Sequence, residues 1–254
     1  MNTSLQTGKK IYFLSDFHLG VPTHAQSRER EDRIVRFLNS IQHDAQEIYL
    51  MGDLFDFWFE YKTAIPKGFI RLQGKMAQLA DSGIPLHIFT GNHDMWMFGY
   101  FEQELGAHIY RHPVTQIING KTFYLGHGDG LGPGDQQYKR FKLFFRNRFC
   151  QWLFGKLHPD WGIGLANYLS SRSRASHEES DKKFLGEENE WLVIYCKEIL
   201  HQQPVDFFIF GHRHLMLDIA LPQNSRYVNL GDWMRYNSYA VFDGEHLHLK
   251  QFEK

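Results

Sequence analysis

The stretch Ile11-Tyr12-Phe13-Leu14-Ser15-Asp16-Phe17-His18 decides the fold of this chain, because an apolar run ends in polar side chains. A short apolar run of this kind predicts a buried strand. Two more such strands follow, Glu47–Met51 and Leu86–Thr90, and they end in Gly52-Asp53 and in Gly91-Asn92-His93-Asp94. The pattern indicates a sheet whose strands all end in polar residues.

Two amphipathic helices separate these strands. Apolar residues recur at helical spacing from Arg28 to Ile41 and from Phe69 to Leu79, and Asp81-Ser82-Gly83 closes the second helix. An alternation of strand and helix predicts a parallel sheet that is covered by helices. The first half of the chain is therefore predicted to be an α/β fold.

The second half changes its pattern, because short strands dominate it. Asn119-Gly120 separates Val114–Ile118 from Lys121–Leu125, which is a strong signal for a hairpin. Further strands are predicted at Val205–Phe210, Tyr227–Leu230, Ser238–Phe242 and His246–Phe252. We predict that this half is mostly antiparallel.

The chain has 254 residues, and we predict a single domain over residues 1–254 with a helical lid inserted at residues 135–199. Its formal net charge of −1 does not favour nucleic-acid binding. The two cysteines form no disulfide framework and suit a reducing cytosol. We expect no cleaved signal peptide, because the N-terminus is polar, and no spanning helix, because no apolar run is long enough.

Polar side chains directly follow five of the predicted strands, and this feature indicates function. They are two carboxylates, one amide and four imidazoles, namely Asp16, His18, Asp53, Asn92, His127, His212 and His214. Ligand sites in open α/β sheets lie beyond the carboxyl ends of the strands, so we expect these side chains to converge. Mixed oxygen and nitrogen ligands suit Mn²⁺, Fe, Zn²⁺ or Ni²⁺ better than Ca²⁺. Seven ligands are too many for one ion and predict two ions that share a carboxylate.

The spacing within this set supports its convergence. Asp16 and His18 are two residues apart, so in an extended segment both side chains point the same way, and His212 and His214 repeat the arrangement. A glycine precedes each later motif and lets the backbone turn sharply at the strand end. Each member alone has a structural alternative, such as a carboxylate that caps a helix or a histidine that is hydrogen-bonded in the core.

These motifs, taken in order, resemble those of the calcineurin-like metallophosphoesterase superfamily. The resemblance is carried by Ser15-Asp16-Phe17-His18, Gly52-Asp53, Gly91-Asn92-His93-Asp94, Gly126-His127 and Gly211-His212-Arg213-His214. It implies a four-layer α-β-β-α sandwich. It also implies two metal ions that share Asp53, one held in addition by Asp16, His18 and His214, and the other by Asn92, His127 and His212.

His93 and Asp94 lie beside the predicted ligands and are our candidate catalytic residues. A metal pair at this place generates a hydroxide at neutral pH and neutralises phosphate charge. His93 is then expected near the phosphate, where it protonates the leaving oxygen or stabilises developing charge, as a histidine of the superfamily does at this place. Asp94 is expected to orient His93. A structural or purely substrate-binding role is the alternative for His93.

The inserted segment is rich in aromatic and basic residues, and between Gln137 and His158 it has no acidic residue. Five aromatic residues recur at steps of three or four and are predicted to share one helix face, namely Tyr138, Phe141, Phe145, Phe149 and Trp152. Such a helix can lie on an anionic membrane, line an acyl-chain pocket or pack onto the core. Nucleic-acid binding through these residues is not favoured by the global charge.

A narrower resemblance links the chain to the UDP-2,3-diacylglucosamine pyrophosphohydrolases of lipid A synthesis. It rests on Gly52-Asp53-Leu54-Phe55-Asp56-Phe57-Trp58, on His127-Gly128-Asp129-Gly130-Leu131, on Asp135 with Tyr138 and Phe141, and on Ser171-Arg172-Ser173. It implies Mn²⁺-dependent cleavage of UDP-2,3-diacylglucosamine to UMP and 2,3-diacylglucosamine 1-phosphate. It also implies a cytoplasmic protein bound peripherally to the inner face of the inner membrane. We further expect a monomer without a nucleic-acid partner.

By position, the narrower resemblance implies five substrate contacts, namely Asn92, His93, Asp135, Ser173 and His212. Those enzymes typically carry Arg where this chain has His93, the residue more general among phosphoesterases. Their remaining polar and lysine contacts have only candidates here, namely His177, Lys182 and Lys183. The alternative function is a general calcineurin-like phosphoesterase acting on a nucleotide, a phosphoprotein or another phospholipid. A non-enzymatic scaffold does not need all seven ligands.

Overall fold

The computed structural model of the chain describes residues 2–134, 136–177 and 183–253, and for residues 137, 138, 140, 141 and 171–177 it describes the backbone alone. The strands in these ranges are β1 (Asn2–Thr3), β2 (Lys10–Leu14), β3 (Ala45–Leu50), β4 (Leu86–Phe89), β5 (His108–Tyr110), β6 (Val114–Ile118), β7 (Lys121–Leu125), β8 (Phe207–Phe210), β9 (Met216–Ala220), β10 (Arg226–Leu230), β11 (Ser238–Phe242) and β12 (Leu247–Gln251). The helices are α1 (His24–Ile41), α2 (Ile70–Asp81), α3 (Tyr100–Leu105), α4 (Gln136–Phe145), α5 (Arg148–Phe154), α6 (Pro159–His177) and α7 (Trp191–Leu200).

The strands form two six-stranded sheets, each with parallel and antiparallel neighbours. The first sheet has the strand order β12-β11-β2-β3-β4-β5, and the second has the order β1-β6-β7-β8-β10-β9. In the first sheet the four strands from β2 to β5 run parallel. The parallel arrangement predicted for the first half of the chain is therefore confirmed.

Side chains alternate across β2, and this alternation divides the core in two. Ile11 and Phe13 point into the space between the sheets, where Phe13 stacks on Phe123 of the second sheet with ring centroids 6.0 Å apart. Tyr12 and Leu14 point the other way, towards the helices. The sheet is thus covered on both faces, which explains why its parallel strands are apolar throughout.

Helices complete the two outer layers. The first sheet buries Ile34 and Phe37 of α1 and Met76 of α2, and the second sheet buries Leu192 and Cys196 of α7. The layers follow the order helix, sheet, sheet, helix. The predicted four-layer α-β-β-α sandwich is therefore confirmed.

The first helix begins earlier than predicted, at His24 instead of Arg28. Thr23 precedes it in an extended conformation, and its hydroxyl oxygen accepts a hydrogen bond from the Gln26 N–H at 3.3 Å. This contact satisfies a backbone donor that the first turn leaves unpaired. The helix start is therefore set by a capping residue outside the apolar repeat.

The prediction of a mostly antiparallel second half is wrong for the strands nearest the candidate site. β7 pairs with β8 in parallel, and β8 pairs with β10 in parallel, whereas β6 and β7 form the predicted hairpin. A parallel pair needs a long crossover connection, and the helical stretch between β7 and β8 supplies it. The crossover brings the carboxyl ends of β7 and β8 to the same edge of the sheet.

Helices α4, α5 and α6, here called the lid helices, occupy most of the segment predicted to be a lid. The single aromatic face predicted from residue 138 to residue 152 is wrong, because a new helix starts after Asn147. The Asn147 side chain accepts hydrogen bonds from the backbone N–H groups of Phe149 and Cys150. Helix α7 also lies within residues 135–199, yet it forms the outer layer on the second sheet. The lid boundaries and the single domain over residues 1–254 stay predictions.

Candidate metal centre

The loops that follow β2, β3, β4, β7 and β8 meet at one edge of the sandwich and bring all seven predicted ligands together. The His18 N–H donates to the Asp53 carbonyl at 2.9 Å, so the first two loops run side by side. The Gly211 N–H donates to the His127 carbonyl at 2.9 Å and joins the loops after β7 and β8. The parallel pairing of strands in both sheets is what makes these ends coincide.

Five of the seven predicted ligands have a left-handed backbone: Asp16 (φ 57°), His18 (φ 44°), Asp53 (φ 53°), His212 (φ 66°) and His214 (φ 49°). The expectation that the two closely spaced pairs project from extended segments is therefore wrong. A left-handed conformation at a residue with a side chain costs about 1–3 kcal/mol. Its repetition at five positions indicates that the site holds backbone strain that the rigid sandwich offsets.

Asp16, His18 and His214 form one group whose ligand atoms lie within 4.8 Å of one another. Asp16 Oδ1 is 3.6 Å from His18 Nε2 and 3.5 Å from His214 Nε2. Asp232 Oδ2 lies 3.3 Å from His214 Nδ1, so it accepts the proton there and leaves Nε2 for a metal. The group matches three of the four ligands predicted for the first ion.

Asp53, His127 and His212 form a second group within the same 4.8 Å limit. Asp53 Oδ2 is 3.2 Å from His127 Nε2, and Asn92 Oδ1 is 3.3 Å from that nitrogen and 3.0 Å from His212 Nδ1. His127 Nδ1 donates to the Met51 carbonyl at 2.8 Å, which directs Nε2 towards the other ligands. These are the four residues predicted for the second ion.

Asp53 stands between the two groups. Its Oδ2 lies 3.6 Å from His18 Nε2 on one side and 3.2 Å from His127 Nε2 on the other. Its Oδ1 accepts a hydrogen bond from the His93 backbone N–H at 2.9 Å, which fixes the carboxylate plane. Asp53 is therefore placed where a bridging carboxylate is needed.

The donor set fits a pair of divalent ions. Asp16 Oδ1 and His18 Nε2 are buried and have no hydrogen-bond partner among the described residues, although such burial is costly for polar atoms. A Cβ on Gly91 would overlap the Asp53 carboxylate, and a Cβ on Gly211 would overlap the Asp16 carboxylate. The backbone therefore closes tightly behind both carboxylates, while their outer atoms remain available to metals.

Histidines keep both carboxylates charged. Burial alone raises the pKa of Asp16, but the charge of His214 and the nearby His18 imidazole outweigh it and lower that pKa to about 2. Burial also opposes ionisation of Asp53, and the charge of His127 reverses the effect and holds the pKa of Asp53 well below its usual range. Both groups are anionic at neutral pH, as metal ligands must be.

The buried histidines differ in charge because only some of them face a carboxylate closely. Burial lowers the pKa of His127, but the neighbouring Asp53 charge outweighs it and raises that pKa to about 10. Burial lowers the pKa of His212 to about 3 and that of His93 to about 4. At neutral pH His127 is therefore positively charged, whereas His212 and His93 are neutral.

Asp94 lies beneath the site and not beside the His93 ring. Its carboxylate accepts hydrogen bonds from the backbone N–H groups of Gly91 at 2.8 Å, Leu54 at 2.8 Å and Asp53 at 3.4 Å. The expectation that Asp94 orients His93 is therefore wrong, because the carboxylate ties the loop after β4 to the loop after β3. Burial and the charge of Asp53 raise the pKa of Asp94 to about 7.

Asp56 and Ser170 hold the His93 ring instead. His93 Nδ1 lies 3.1 Å from the Asp56 carbonyl oxygen and 3.1 Å from Ser170 Oγ, and Ser170 Oγ donates to Asp56 Oδ2 at 2.9 Å. A carbonyl can only accept, so Nδ1 carries the proton and Nε2 is the nitrogen left for a substrate. The ring centroid is 4.9 Å from that of His18, which places His93 beside the predicted first ion.

Sequence reasoning missed the roles of two carboxylates, Asp56 and Asp232. Asp56 Oδ1 lies 3.5 Å from His18 Nδ1, so it orients a predicted ligand as well as the candidate catalytic histidine. It follows Asp53 by three residues, and only that spacing pointed to it. Asp232 follows Gly231 after β10 and so repeats the strand–Gly–Asp pattern of Asp53, which could have identified it.

Three of the five predicted substrate contacts, Asn92, His93 and His212, lie in the site. Outside the described residues lie Asp135 and Lys182, together with the side chains of Ser173 and His177. Lys183 is described, and its carbonyl accepts a hydrogen bond from Arg213 Nη2 at 3.3 Å. The substrate contacts of the lid therefore stay predictions.

The lid helices present large apolar side chains to solvent. The exposed fraction is 74 % for Leu143, 66 % for Phe149 and 76 % for Trp161. Phe154 behaves differently, because it packs on Trp96 with ring centroids 4.8 Å apart. Packing onto the core therefore accounts for only part of the aromatic content of the lid. None of the described helices combines the length and the apolarity that crossing a bilayer requires.

Comparison with known proteins identifies relatives over nearly the whole chain. Residues 9–216 match the family model described as calcineurin-like phosphoesterase. A UDP-2,3-diacylglucosamine hydrolase of Porphyromonas gingivalis is 45 % identical over 264 aligned residues, which cover 96 % of this chain and 98 % of the relative. A protein of the same name from Histophilus somni is 26 % identical, and the alignment covers 89 % of this chain and 92 % of that relative. A solved structure of an Escherichia coli phosphoesterase is 15 % identical. The match covers 95 % of this chain and 92 % of that protein, with a TM-score of 0.47.

Proposed function

The chain belongs to the calcineurin-like phosphoesterase family, and we propose that it hydrolyses the diphosphate of UDP-2,3-diacylglucosamine. Water attacks one phosphorus, the P–O–P bond breaks, and UMP and 2,3-diacylglucosamine 1-phosphate are released. The observation that carries the proposal is the 45 % identity to a hydrolase of that name, extending over 96 % of this chain. The candidate metal centre supplies the chemistry that such a reaction needs.

We assign two metal ions to the seven converging ligands, and Mn²⁺ is the proposed metal because carboxylate, amide and imidazole ligands suit it. Asp16, His18, Asp53 and His214 would hold one ion, and Asp53, Asn92, His127 and His212 would hold the other. When bound, the ions supply positive charge that lowers the pKa of water and neutralises the diphosphate.

His93 acts on the departing phosphate. The Asp56 carbonyl holds the Nδ1 proton of His93, so Nε2 is the atom that contacts the leaving oxygen. The departing group is itself a phosphate that spreads its charge over several oxygens. With Nδ1–H bound to the Asp56 carbonyl, His93 stabilises that charge when Nε2 is protonated as well, and the negative charge of the bound diphosphate favours this imidazolium form.

The lid helices bind the acyl chains and touch the cytoplasmic face of the inner membrane in this proposal. Exposed Phe149 and Trp161 supply apolar surface, and Lys156 supplies positive charge beside it. We further propose that the protein acts as a monomer. Sedimentation with vesicles containing anionic lipid tests the first point, and light scattering of the purified protein tests the second.

One experiment separates the proposed substrate from simpler ones. The Mn²⁺-loaded protein is offered UDP-2,3-diacylglucosamine and, separately, bis-p-nitrophenyl phosphate. We expect UMP release from the first substrate, loss of both activities in Asp53→Ala, and normal activity in Asp81→Ala, which changes an exposed carboxylate at the end of α2. Good turnover of the simple ester without any UMP release excludes the lipid-linked substrate.

A general phosphoesterase is the second candidate function. His93 favours it, because a histidine is the more general phosphoesterase residue at this place, where the UDP-2,3-diacylglucosamine enzymes typically carry Arg. Such an enzyme turns over nucleotide, phosphoprotein or phospholipid esters without a preference for the diacyl sugar. The same pair of substrates distinguishes the two candidates.

A further inference from the structure

Two adjoining cavities open beside the second group of predicted ligands, the one that contains His127. The first has a volume of about 310 Å³ and is lined by His127, Gly128 and Asp129, and the second has a volume of about 590 Å³ and reaches Gly91. Thr90, Arg111, Asp129, Lys142 and Arg146 line both cavities, so the two lie side by side. Their combined size is in the range of pockets that hold small ligands.

These cavities are strongly cationic. Among the described residues that line them, five cationic side chains face two carboxylates, and the cationic ones are Arg111, Lys139, Lys142, Arg146 and Arg148. We call the joined space the cationic pocket. One wall comes from the sandwich and the other from the lid helices α4 and α5. The pocket is thus formed where the lid meets the metal centre.

The contacts within the pocket show which charges remain for a ligand. Lys142 Nζ lies 2.6 Å from Asp129 Oδ2, so this pair is neutralised within the wall. Arg111 Nη1 is 3.8 Å from Glu102 Oε1, a long contact that compensates the arginine only in part. Arg148 is exposed at the first turn of α5. The pocket therefore keeps an excess of positive charge.

The charges of the pocket also act on His112. It lines the pocket, and Arg146 Nη2 lies 3.4 Å from its Nε2. Burial lowers the pKa of His112, and the charges of Arg146 and Lys142 lower it further. A cationic potential at this place favours an anionic ligand beside the phosphate that the metal centre holds.

The side of the metal centre where His93 lies carries exposed apolar residues. There Ser170 of α6 reaches His93, and the same helix carries the exposed apolar residues Trp161, Leu165 and Leu169. The two flanks thus match the two halves of the proposed substrate, one nucleotide and one acylated sugar. Tyr110 and Phe98 line the cationic pocket and offer aromatic faces for stacking of a base.

We propose that the cationic pocket binds the nucleoside monophosphate half of the substrate and that Arg111 and Arg148 determine this specificity. The proposal rests on the proposed function for the identity of the substrate. The arginines hold the ribose phosphate, the base stacks on the aromatic lining, and the acylated sugar extends towards α6. Nucleotide-linked substrates are thereby distinguished from simple phosphoesters.

Direct binding of UMP tests the proposal without any turnover. UMP, uridine and inorganic phosphate are titrated calorimetrically into the full-length, metal-loaded protein. We expect UMP to bind more tightly than either fragment, since the pocket engages both the phosphate and the base. Arg148→Gln and Arg111→Gln should each weaken UMP binding by about tenfold, the effect of one lost charge-assisted hydrogen bond. The matched control Arg71→Gln changes an arginine on α2 outside the pocket and should bind UMP like the wild type.

Several outcomes overturn the proposal. UMP that binds no more tightly than inorganic phosphate shows that only the metal centre holds it. Equal UMP affinity in the wild type, Arg148→Gln and Arg111→Gln, with a raised KM for UDP-2,3-diacylglucosamine, places the acylated sugar in this pocket instead. Failure of the proposed function is distinguishable, because it abolishes UMP release by the wild type and leaves the calorimetric comparison intact.

Discussion

Ser170 Oγ of helix α6 lies 3.1 Å from His93 Nδ1 and also donates a hydrogen bond to Asp56 Oδ2 at 2.9 Å. A lid helix therefore touches the residue that we place at the departing phosphate. Asp56 in turn lies 3.5 Å from His18, so the contact continues to a predicted metal ligand. The position of the lid and the orientation of the catalytic histidine are coupled through these few atoms.

Replacement of Ser170 by alanine should reduce kcat several-fold while KM changes little. The variant removes the hydroxyl that holds His93 Nδ1 and leaves the pocket walls in place. Ser170→Thr keeps the hydroxyl and should restore kcat, which a merely structural role does not predict. Ser40→Ala removes a hydroxyl from α1 and serves as the control. An unchanged kcat in Ser170→Ala would show that Ser170 does not position His93.

Replacement of His93 by alanine should slow UMP release by roughly 10²–10⁴-fold, the usual contribution of a positioned acid–base group. The metal content should stay at the wild-type level, because we assign His93 to the leaving phosphate and not to a metal ion. Elemental analysis and steady-state kinetics on the same preparation measure both quantities. A normal rate would show that His93 has a structural role, and a loss of metal would show that it is a metal ligand.

Replacement of Asp232 by asparagine should weaken metal binding by roughly 10–100-fold, as is typical when a carboxylate behind a metal-ligating histidine is removed. The variant takes away the acceptor at His214 Nδ1 and can keep the oxygen that accepts from the backbone of Met234. Competition with a chelating dye measures the affinity. Asp218→Asn, which changes a carboxylate paired with Arg226, is the control. Equal affinities in the two variants contradict this role of Asp232.

Asp44 should make the free energy of unfolding depend on pH in the acidic range. Burial raises its pKa, but hydrogen bonds from Lys10 and Tyr12 outweigh burial and hold that pKa below the usual value of an aspartate. The unfolded chain therefore binds the proton more tightly, so the stabilisation is present above about pH 3.8 and is lost as the pH falls through the lower, folded value. Urea unfolding from pH 3 to pH 7 should show that Asp44→Asn is less stable near neutrality and converges with the wild type in acid. A constant difference across the range contradicts the prediction.

Much of the candidate site was predictable because it depends on strand ends. An apolar run followed by Asp16, Asp53 or Asn92 marks the end of a parallel strand, and parallel strands end at one edge. The same rule would have found Asp232 after β10. Convergence of these residues is therefore a property of topology, which hydrophobic patterns reveal.

Other features depend on tertiary contacts that a sequence pattern does not contain. Asp94 is adjacent to His93 in sequence, yet its carboxylate faces the backbone of the loop after β3, and the more distant Asp56 holds the ring. The left-handed backbone of His18, whose N–H donates to the Asp53 carbonyl of the neighbouring loop, likewise has no signal in the sequence pattern. The break between α4 and α5 had a local signal in Asn147, which aromatic spacing alone overlooked.

Titration of the metal-free protein with Mn²⁺, followed by UMP release from UDP-2,3-diacylglucosamine, tests the central claim most directly. Seven converging ligands that share Asp53 predict no UMP release without metal and a plateau at two equivalents per chain when the protein concentration far exceeds the dissociation constants. UMP release that persists after complete chelation, or that reaches its full rate at one equivalent, contradicts a two-metal centre bridged by Asp53.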